Sequence, residues 1–154
     1  MRTMEIALDE ARGAAGRGEV PVGAVVVDGE GRILARACNR TEELADPTAH
    51  AELLALRAAA AARGEPRLVD CDLVVTLEPC PLCAAAASLF RVRRVVFGAY
   101  DPKGGGVEHG PRIFDAPGCL WRPEVVGGVR EREAAALLRA FFEARRPGSG
   151  PGAA

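Results

Sequence analysis

Three metal-ligand side chains and one carboxylate stand in two short strings of this sequence. His50 and Glu52 belong to a His-Ala-Glu string, and Cys80 and Cys83 belong to a Pro-Cys-Pro-Leu-Cys string that begins at Pro79. A structural zinc site usually takes four protein ligands, whereas a catalytic site takes three and keeps one position for water. The spacing therefore predicts one catalytic zinc ion, held by His50, Cys80 and Cys83 and suited to a hydrolytic reaction.

Glu52 supplies a group that is not a metal ligand. It is two residues from His50, and on a helix such neighbours point in different directions. A carboxylate close to a metal-activated water can take a proton from it and deliver that proton to a substrate. We therefore expect Glu52 to be the catalytic acid and base, a group for which a purely structural zinc site would have no use.

The Cys-x-x-Cys spacing also occurs in redox dithiols, which are the alternative for Cys80 and Cys83. There the motif stands alone, whereas here a histidine and a glutamate precede Cys80 by 30 and 28 residues. The chain has five cysteines, an odd number, which disfavours a disulfide framework. We expect the other three to be small buried side chains: Cys38, Cys71 and Cys119.

The composition is that of one soluble domain. The chain has 154 residues, of which 49% are hydrophobic and 27% charged, and its apolar runs are far shorter than the roughly 20 residues of a membrane helix. The first residues include acids and lack the apolar segment of a signal peptide. We therefore expect a cytoplasmic protein with no membrane partner and no organic cofactor.

Charge is distributed unevenly along the chain. Residues 1–90 carry 9 basic and 14 acidic side chains, whereas residues 91–154 carry 11 basic and 7 acidic ones. Lysine occurs once, at Lys103, two residues after Asp101. A surface that contacts phosphates is therefore expected mainly in the second half of the chain.

Hydrophobic periodicity and turn residues predict alternating helices and strands. The predicted elements are a helix at 3–17, a hairpin of strands at 20–27 and 32–37, a helix at 51–63, a strand at 73–77, a helix at 81–90, strands at 92–100 and 124–126, and a helix at 131–146. This order is typical of a layered α/β domain with a mixed sheet. Residues 1–146 form the predicted domain, and the Gly/Pro-rich residues 147–154 form a predicted disordered tail.

Both metal-ligand strings fall at predicted helix starts. Asp46-Pro-Thr offers cap chemistry for the helix at 51–63, which would place His50 in its opening turn. Cys80 directly precedes the helix at 81–90. Helix N-termini carry partial positive charge, so we expect them to stabilise a thiolate and an activated water.

Three segments resemble the bacterial tRNA-specific adenosine deaminases of the zinc-dependent cytidine/deoxycytidylate deaminase superfamily. They are His50-Ala-Glu, Thr76-Leu-Glu-Pro-Cys-Pro-Leu-Cys and Arg94-Val-Val-Phe-Gly-Ala-Tyr-Asp-Pro-Lys, within a likeness that spans residues 4–146. The first two carry the H-x-E…P-C-x-x-C signature of zinc nucleobase deaminases. The resemblance implies a three-layer α/β/α fold of the cytidine-deaminase type with a mixed five-stranded sheet, and a homodimer. It also implies hydrolysis of the wobble adenosine of a tRNA anticodon stem-loop to inosine.

The resemblance also implies substrate contacts outside the metal site. Asn39 matches an asparagine that contacts the base, and Asp101 and Lys103 match contacts to the anticodon loop. The last helix, which faces RNA in this family, contributes Phe142, Arg145 and Arg146.

The two strings that contain the metal ligands predict the type of reaction but do not identify the substrate. The string Asp-Pro-Thr-Ala-His-Ala-Glu, which ends at Glu52, also occurs in guanine deaminases of this fold, so deamination of free guanine is the alternative. An inactive RNA-binding protein or a structural zinc protein is a further alternative. The string Phe-Gly-Ala-x-Asp-x-Lys, which ends at Lys103, is typical of the tRNA enzymes. The chain departs from the family at Phe90, where a small residue is usual, and at Leu120-Trp121, where histidines or an Asn-His pair are common.

Overall fold

Four α-helices, five strands and one short 3₁₀ helix, Ile113–Asp115, lie within residues 2–145, the part of the chain that this computed structural model describes. In chain order the helices α1 to α4 are Arg2–Gly16, Ala51–Arg63, Pro81–Leu89 and Glu131–Arg145, and the strands β1 to β5 are Gly23–Val27, Ile33–Cys38, Asp72–Leu77, Arg94–Ala99 and Glu124–Val126. Each predicted helix and strand is present, with ends within three residues of those predicted. Arg146 and the predicted tail at 147–154 lie outside the described residues.

Within residues 2–145 the five strands form one mixed sheet in the order β2-β1-β3-β4-β5. β1 is antiparallel to β2 and to β3, whereas β3, β4 and β5 run parallel. The tight turn between β1 and β2 enforces their antiparallel pairing, while the parallel strands β3 and β4 need a crossover, which α3 provides. The predicted mixed five-stranded sheet is confirmed.

Helices cover both faces of this sheet. Successive side chains of a strand point to opposite faces, and in β1 Ala24 and Val26 join a core with α2 and α3, whereas Val25 and Val27 join a core with α1 and α4. The expected α/β/α layering is therefore confirmed. Cys38 and Cys71 are buried as predicted, and Cys119 is half-buried.

The parallel crossover places the functional strings at one edge of the sheet. Because β3 and β4 are parallel, their carboxyl ends meet, with Leu77 paired to Ala99. β1 begins at the same edge, where the N–H of Gly23 donates to Thr76 Oγ1 at 3.1 Å. Ligand sites of open α/β sheets usually lie in the crevice beyond these carboxyl ends. Among residues 2–145, no helix has the length and apolarity needed to cross a membrane.

Candidate metal centre and active-site cleft

The start of α2 is fixed from outside the helix. His50 is the N-cap of α2, one residue before its first turn. The predicted cap at Asp46 is wrong, because Asp46 Oδ1 accepts hydrogen bonds from the Thr48 N–H at 2.8 Å and the Thr48 hydroxyl at 2.7 Å and so closes a separate turn. Asn39 Oδ1 instead accepts the N–H of Ala51 at 2.8 Å. Asn39 therefore holds the helix end that carries His50.

Cys80 occupies the equivalent place on α3. It is the N-cap, with an extended backbone, and Cys83 follows in the first turn. Pro81 stands at the first helical position, where its fixed φ favours the helix and its missing N–H costs no hydrogen bond. The N-termini of α2 and α3 thus meet at one point, and their partial positive charges favour anionic ligands there.

The three predicted ligands converge in a geometry that fits zinc. The donor atoms of His50, Cys80 and Cys83 all lie within 4.8 Å of one another, with His50 Nδ1 3.5 Å from Cys80 Sγ and 3.4 Å from Cys83 Sγ. Tetrahedral zinc with bonds of about 2.3 Å to sulfur and about 2.05 Å to nitrogen would place these atoms about 3.5 Å apart. The donor set is also that of a catalytic zinc site, two cysteines and one histidine.

The same cluster favours a thiolate. The Cys83 thiol donates to the Cys80 sulfur, and together with His50 this interaction lowers the pKa of Cys80 to about 4. A deprotonated cysteine is the form that binds a metal. The surroundings of Cys80 therefore favour the form of its side chain that binds a metal.

Glu52 lies beside the metal ligands and is buried from solvent. Its residue surface is 4% exposed, and this burial raises the pKa of its carboxyl to about 7. A general acid and base is most effective when its pKa lies near the working pH. Glu52 can therefore both accept and donate a proton near neutrality.

A cavity of about 320 Å³ opens above the metal-ligand cluster. Its lining includes His50, Glu52 and Cys80, together with Asn39 and Asp101. Because the Asn39 carbonyl oxygen is bonded to the Ala51 N–H, its amide NH₂ is the part that can donate to a ligand. The size is at the lower end of ligand pockets, which run from about 300 to 1,000 Å³.

A second cavity, of about 440 Å³, adjoins the first. Asp101 borders both cavities, whereas Lys103, Tyr100 and Phe142 border the second one. Phe142 is 53% exposed, and its neighbour Phe141 is buried. The structure thus gathers three of the predicted RNA-contacting residues around one opening beside the metal site.

Arg145 is the member of the predicted set that lies outside both cavities within residues 2–145. Its guanidinium packs over the Phe141 ring, 3.6 Å from the ring centroid. The role of Arg145 in RNA binding stays a prediction.

Two residues at or beside the cleft, Glu78 and His109, share a contact that the sequence did not predict. Glu78 received no role, although it lines the first cavity and accepts several backbone hydrogen bonds. His109 follows Lys103 in the same loop, and its Nδ1 is 2.8 Å from Glu78 Oε1. One feature of the sequence could have indicated a role for Glu78: it is an acidic residue directly between an apolar strand and the string that contains Cys80 and Cys83.

Comparisons with known proteins agree with this fold and site. The family described as "Cytidine and deoxycytidylate deaminase zinc-binding region" matches residues 1–99. A tRNA-specific adenosine deaminase of Agrobacterium fabrum is 54% identical over 143 residues, which are 93% of each chain. The chain belongs to the zinc-dependent cytidine and deoxycytidylate deaminase family and is a zinc enzyme. Within that family it belongs to the tRNA-specific adenosine deaminases.

Solved structures support the same placement. A structure described as a tRNA:A34 deaminase that edits A to I at the wobble position is 54% identical, with a TM-score of 0.87 over 89% of this chain and 99% of that chain. A guanine deaminase from Nitrosomonas europaea is 26% identical, with a TM-score of 0.73 over 90% of this chain and 82% of that one. The guanine deaminase is thus the more distant relative.

The convergence of three donor atoms predicts the metal content. We expect the purified protein to hold one zinc ion per chain, and Cys83→Ala to lose nearly all of it on dialysis, because two protein ligands bind zinc far more weakly than three. Cys119→Ala, which removes a half-buried cysteine elsewhere, should keep its zinc. Elemental analysis checks both variants, and a zinc-replete Cys83→Ala protein would contradict the assignment.

Proposed function

We propose that this protein hydrolyses the wobble adenosine of a tRNA anticodon to inosine and releases ammonia. His50, Cys80 and Cys83 hold the zinc, and Glu52 moves the protons. The observation that supports this proposal most is the pair of adjoining cavities. One is lined by the ligands His50 and Cys80 and by Glu52, and the other is lined by a lysine and two aromatic residues.

When bound, zinc polarises a water molecule so that it loses a proton near neutral pH. Glu52 accepts that proton and delivers it to the purine ring nitrogen next to the reacting carbon. The water oxygen bonds to the reacting carbon during this transfer. Glu52 then takes the remaining proton from that oxygen and delivers it to the amino group, whose bond to carbon breaks to give ammonia and a carbonyl group. The raised pKa of Glu52 suits both directions of transfer, since neither protonation state is strongly disfavoured.

The remaining cleft residues would hold the RNA. Asn39 can donate its amide N–H to the base, and an adenosine must leave its stack to enter so narrow a cavity. Lys103 can pair with a phosphate, and the exposed ring of Phe142 offers a surface on which a neighbouring base can stack. A free purine base would use the first cavity alone.

The substrate is tested by supplying competing compounds to one preparation. We expect ammonia release from an anticodon stem-loop with adenosine at the wobble position, and none from the same stem-loop with guanosine there or from free guanine. Turnover of guanine with an inert stem-loop would refute the tRNA proposal in favour of a guanine deaminase.

Glu52→Ala separates catalysis from metal binding. Because Glu52 is not a ligand, the variant should keep its zinc while kcat on the stem-loop falls by about 100- to 10,000-fold, the usual contribution of a general acid and base. Zinc analysis and single-turnover kinetics on the same sample check this. Full activity would show that another group transfers the proton.

Lys103→Ala tests the phosphate contact. Loss of one phosphate contact should weaken stem-loop binding and reduce the slope of log K against log salt by about one. Arg67→Ala is the matched control, since Arg67 is an exposed cation beyond the far end of α2. An unchanged slope in Lys103→Ala would show that Lys103 does not contact a phosphate.

We also propose that two copies of the chain form a homodimer, and that the enzyme works in the cytoplasm, where its substrate is available. An apolar cavity of about 390 Å³, lined by Trp121 and Ile113 among others, supports the dimer proposal. Leu89 and Leu120 at its rim are 79% and 96% exposed. Side chains of this kind are the usual content of an interface core.

Sedimentation tests the dimer. We expect the wild-type protein to sediment as a dimer at micromolar concentration and Leu120→Glu to sediment as a monomer, because a charge would be buried in the interface. Val69→Glu, at a half-exposed apolar residue between α2 and β3, should remain a dimer. A monomeric wild-type protein would refute the proposal.

A further inference from the structure

Glu78 is a buried carboxylate directly before the metal-binding start of α3. Its side chain is fully buried, yet among the described residues it belongs to no metal-ligand cluster and pairs with no lysine or arginine. Its oxygens accept hydrogen bonds from four backbone N–H groups, those of Asp101, Val107, Glu108 and His109, at 2.9 to 3.2 Å. The His109 imidazole approaches it as well, at 2.8 Å.

These donors occupy the hydrogen-bond acceptor sites of the Glu78 carboxylate. A carboxylate offers about four lone-pair sites, and the backbone donors with His109 fill them. Glu78 therefore cannot also accept a proton from substrate or water, although it borders the same cavity as Glu52. Its contribution must come from what it holds in place.

What Glu78 holds is the segment from Asp101 to His109, called here the 101–109 loop. The first contact is to the N–H of Asp101, whose Oδ1 in turn accepts the N–H of Lys103 at 3.2 Å and of Gly104 at 2.9 Å. The last three contacts fix the other end of the loop. Glu78 thus determines the backbone position of Lys103 through Asp101.

The 101–109 loop also packs directly on the metal-binding segment. The N–H of Gly106 donates to the carbonyl of Pro79 at 2.8 Å. A methyl group at Gly106 would lie 2.6 Å from the nitrogen of Pro81, and one at Gly105 would overlap the Glu78 carboxylate. The loop therefore lies against the Pro79–Pro81 backbone with no room for a side chain between them.

We propose that Glu78 is a positioning residue. It fixes the position of the RNA-contacting 101–109 loop relative to the zinc-binding start of α3. It does so from a single point, with both ends of the loop bonded to one carboxylate that precedes Cys80 by two residues. A base above the metal and a phosphate at Lys103 would then be held at a constant separation. The RNA part of this inference rests on the proposed function.

Glu78→Gln tests the inference with little change in size. A glutamine keeps one acceptor oxygen but turns an NH₂ group toward backbone N–H donors. We expect unchanged zinc content, faster hydrogen exchange at the amides of residues 107–109, and a rise in KM for the stem-loop of about 10- to 100-fold, which corresponds to about one hydrogen bond to a charged group. We expect kcat to change less than KM.

Asp28→Asn is the matched control. Asp28 is also a buried carboxylate, and its Oδ1 accepts the N–H groups of Glu30 and Arg32, each at 2.9 Å. It follows β1 at the opposite edge of the sheet, where Val27 pairs with Asp72 at the start of β3. Removing this carboxylate should leave the stem-loop KM unchanged, so an equal rise in both variants would mean a general loss of stability and would overturn the proposal.

A double-mutant cycle with Lys103→Ala separates positioning from a merely structural role. If Glu78 acts through the position of Lys103, then Glu78→Gln should raise KM much less in the Lys103→Ala background, because coupled residues are not additive. An undiminished rise in that background would overturn the proposal. Loss of zinc in Glu78→Gln would overturn it too, since the carboxylate would then support the metal segment instead.

A milder variant and an RNA-independent readout complete the test. His109→Ala removes one side-chain donor and keeps the backbone donors, so it should fold and still speed exchange at residues 107–109. Unchanged exchange in both variants would overturn the proposal. If the wild-type protein does not deaminate the stem-loop, the proposed function is refuted. The hydrogen-exchange measurement still decides whether Glu78 holds the 101–109 loop.

Discussion

The meeting of two helix N-termini at one edge of the sheet is the constraint on which this structure depends. His50 caps α2 and Cys80 caps α3, so the donor atoms that must share one ion come within 4.8 Å of each other. The parallel pairing of β3 with β4 produces this arrangement, because the crossover through α3 must begin where β3 ends. Cys83 then follows one turn into α3, and its sulfur completes the donor set.

Buried carboxylates around this point have different roles because their hydrogen bonds differ. Burial raises the pKa of Glu52, which suits proton transfer. Burial also acts on Glu19 and Glu78, but there the backbone N–H donors prevail and lower the pKa of each. Glu19 accepts the N–H groups of Glu42 and Glu43, so it holds the segment after Asn39 much as Glu78 holds the 101–109 loop. The segment after Asn39 and the 101–109 loop are thus each held by a carboxylate whose pKa lies below its ordinary value.

The sequence predicted the elements and the metal site well because both depend on local patterns. Apolar periodicity located each helix and strand, and ligand type with spacing identified His50, Cys80, Cys83 and Glu52 as one cluster. The cap at Asp46 and the roles of Glu78 and His109 escaped prediction because their partners are set by the tertiary fold. Asn39 caps α2 from a different segment, and Glu78 receives donors 23 to 31 residues away. The predicted substrate contacts rest on family resemblance, since spacing alone does not distinguish an RNA from a free base.

The central claim is that a zinc-activated water, with Glu52 as proton carrier, replaces the amino group of an adenosine in RNA. The most direct measurement is the mass of an anticodon stem-loop after reaction in water enriched in heavy oxygen. The account predicts one heavy-oxygen atom in the product for each adenosine converted to inosine. A product without heavy oxygen, or an RNA of unchanged mass, would contradict it.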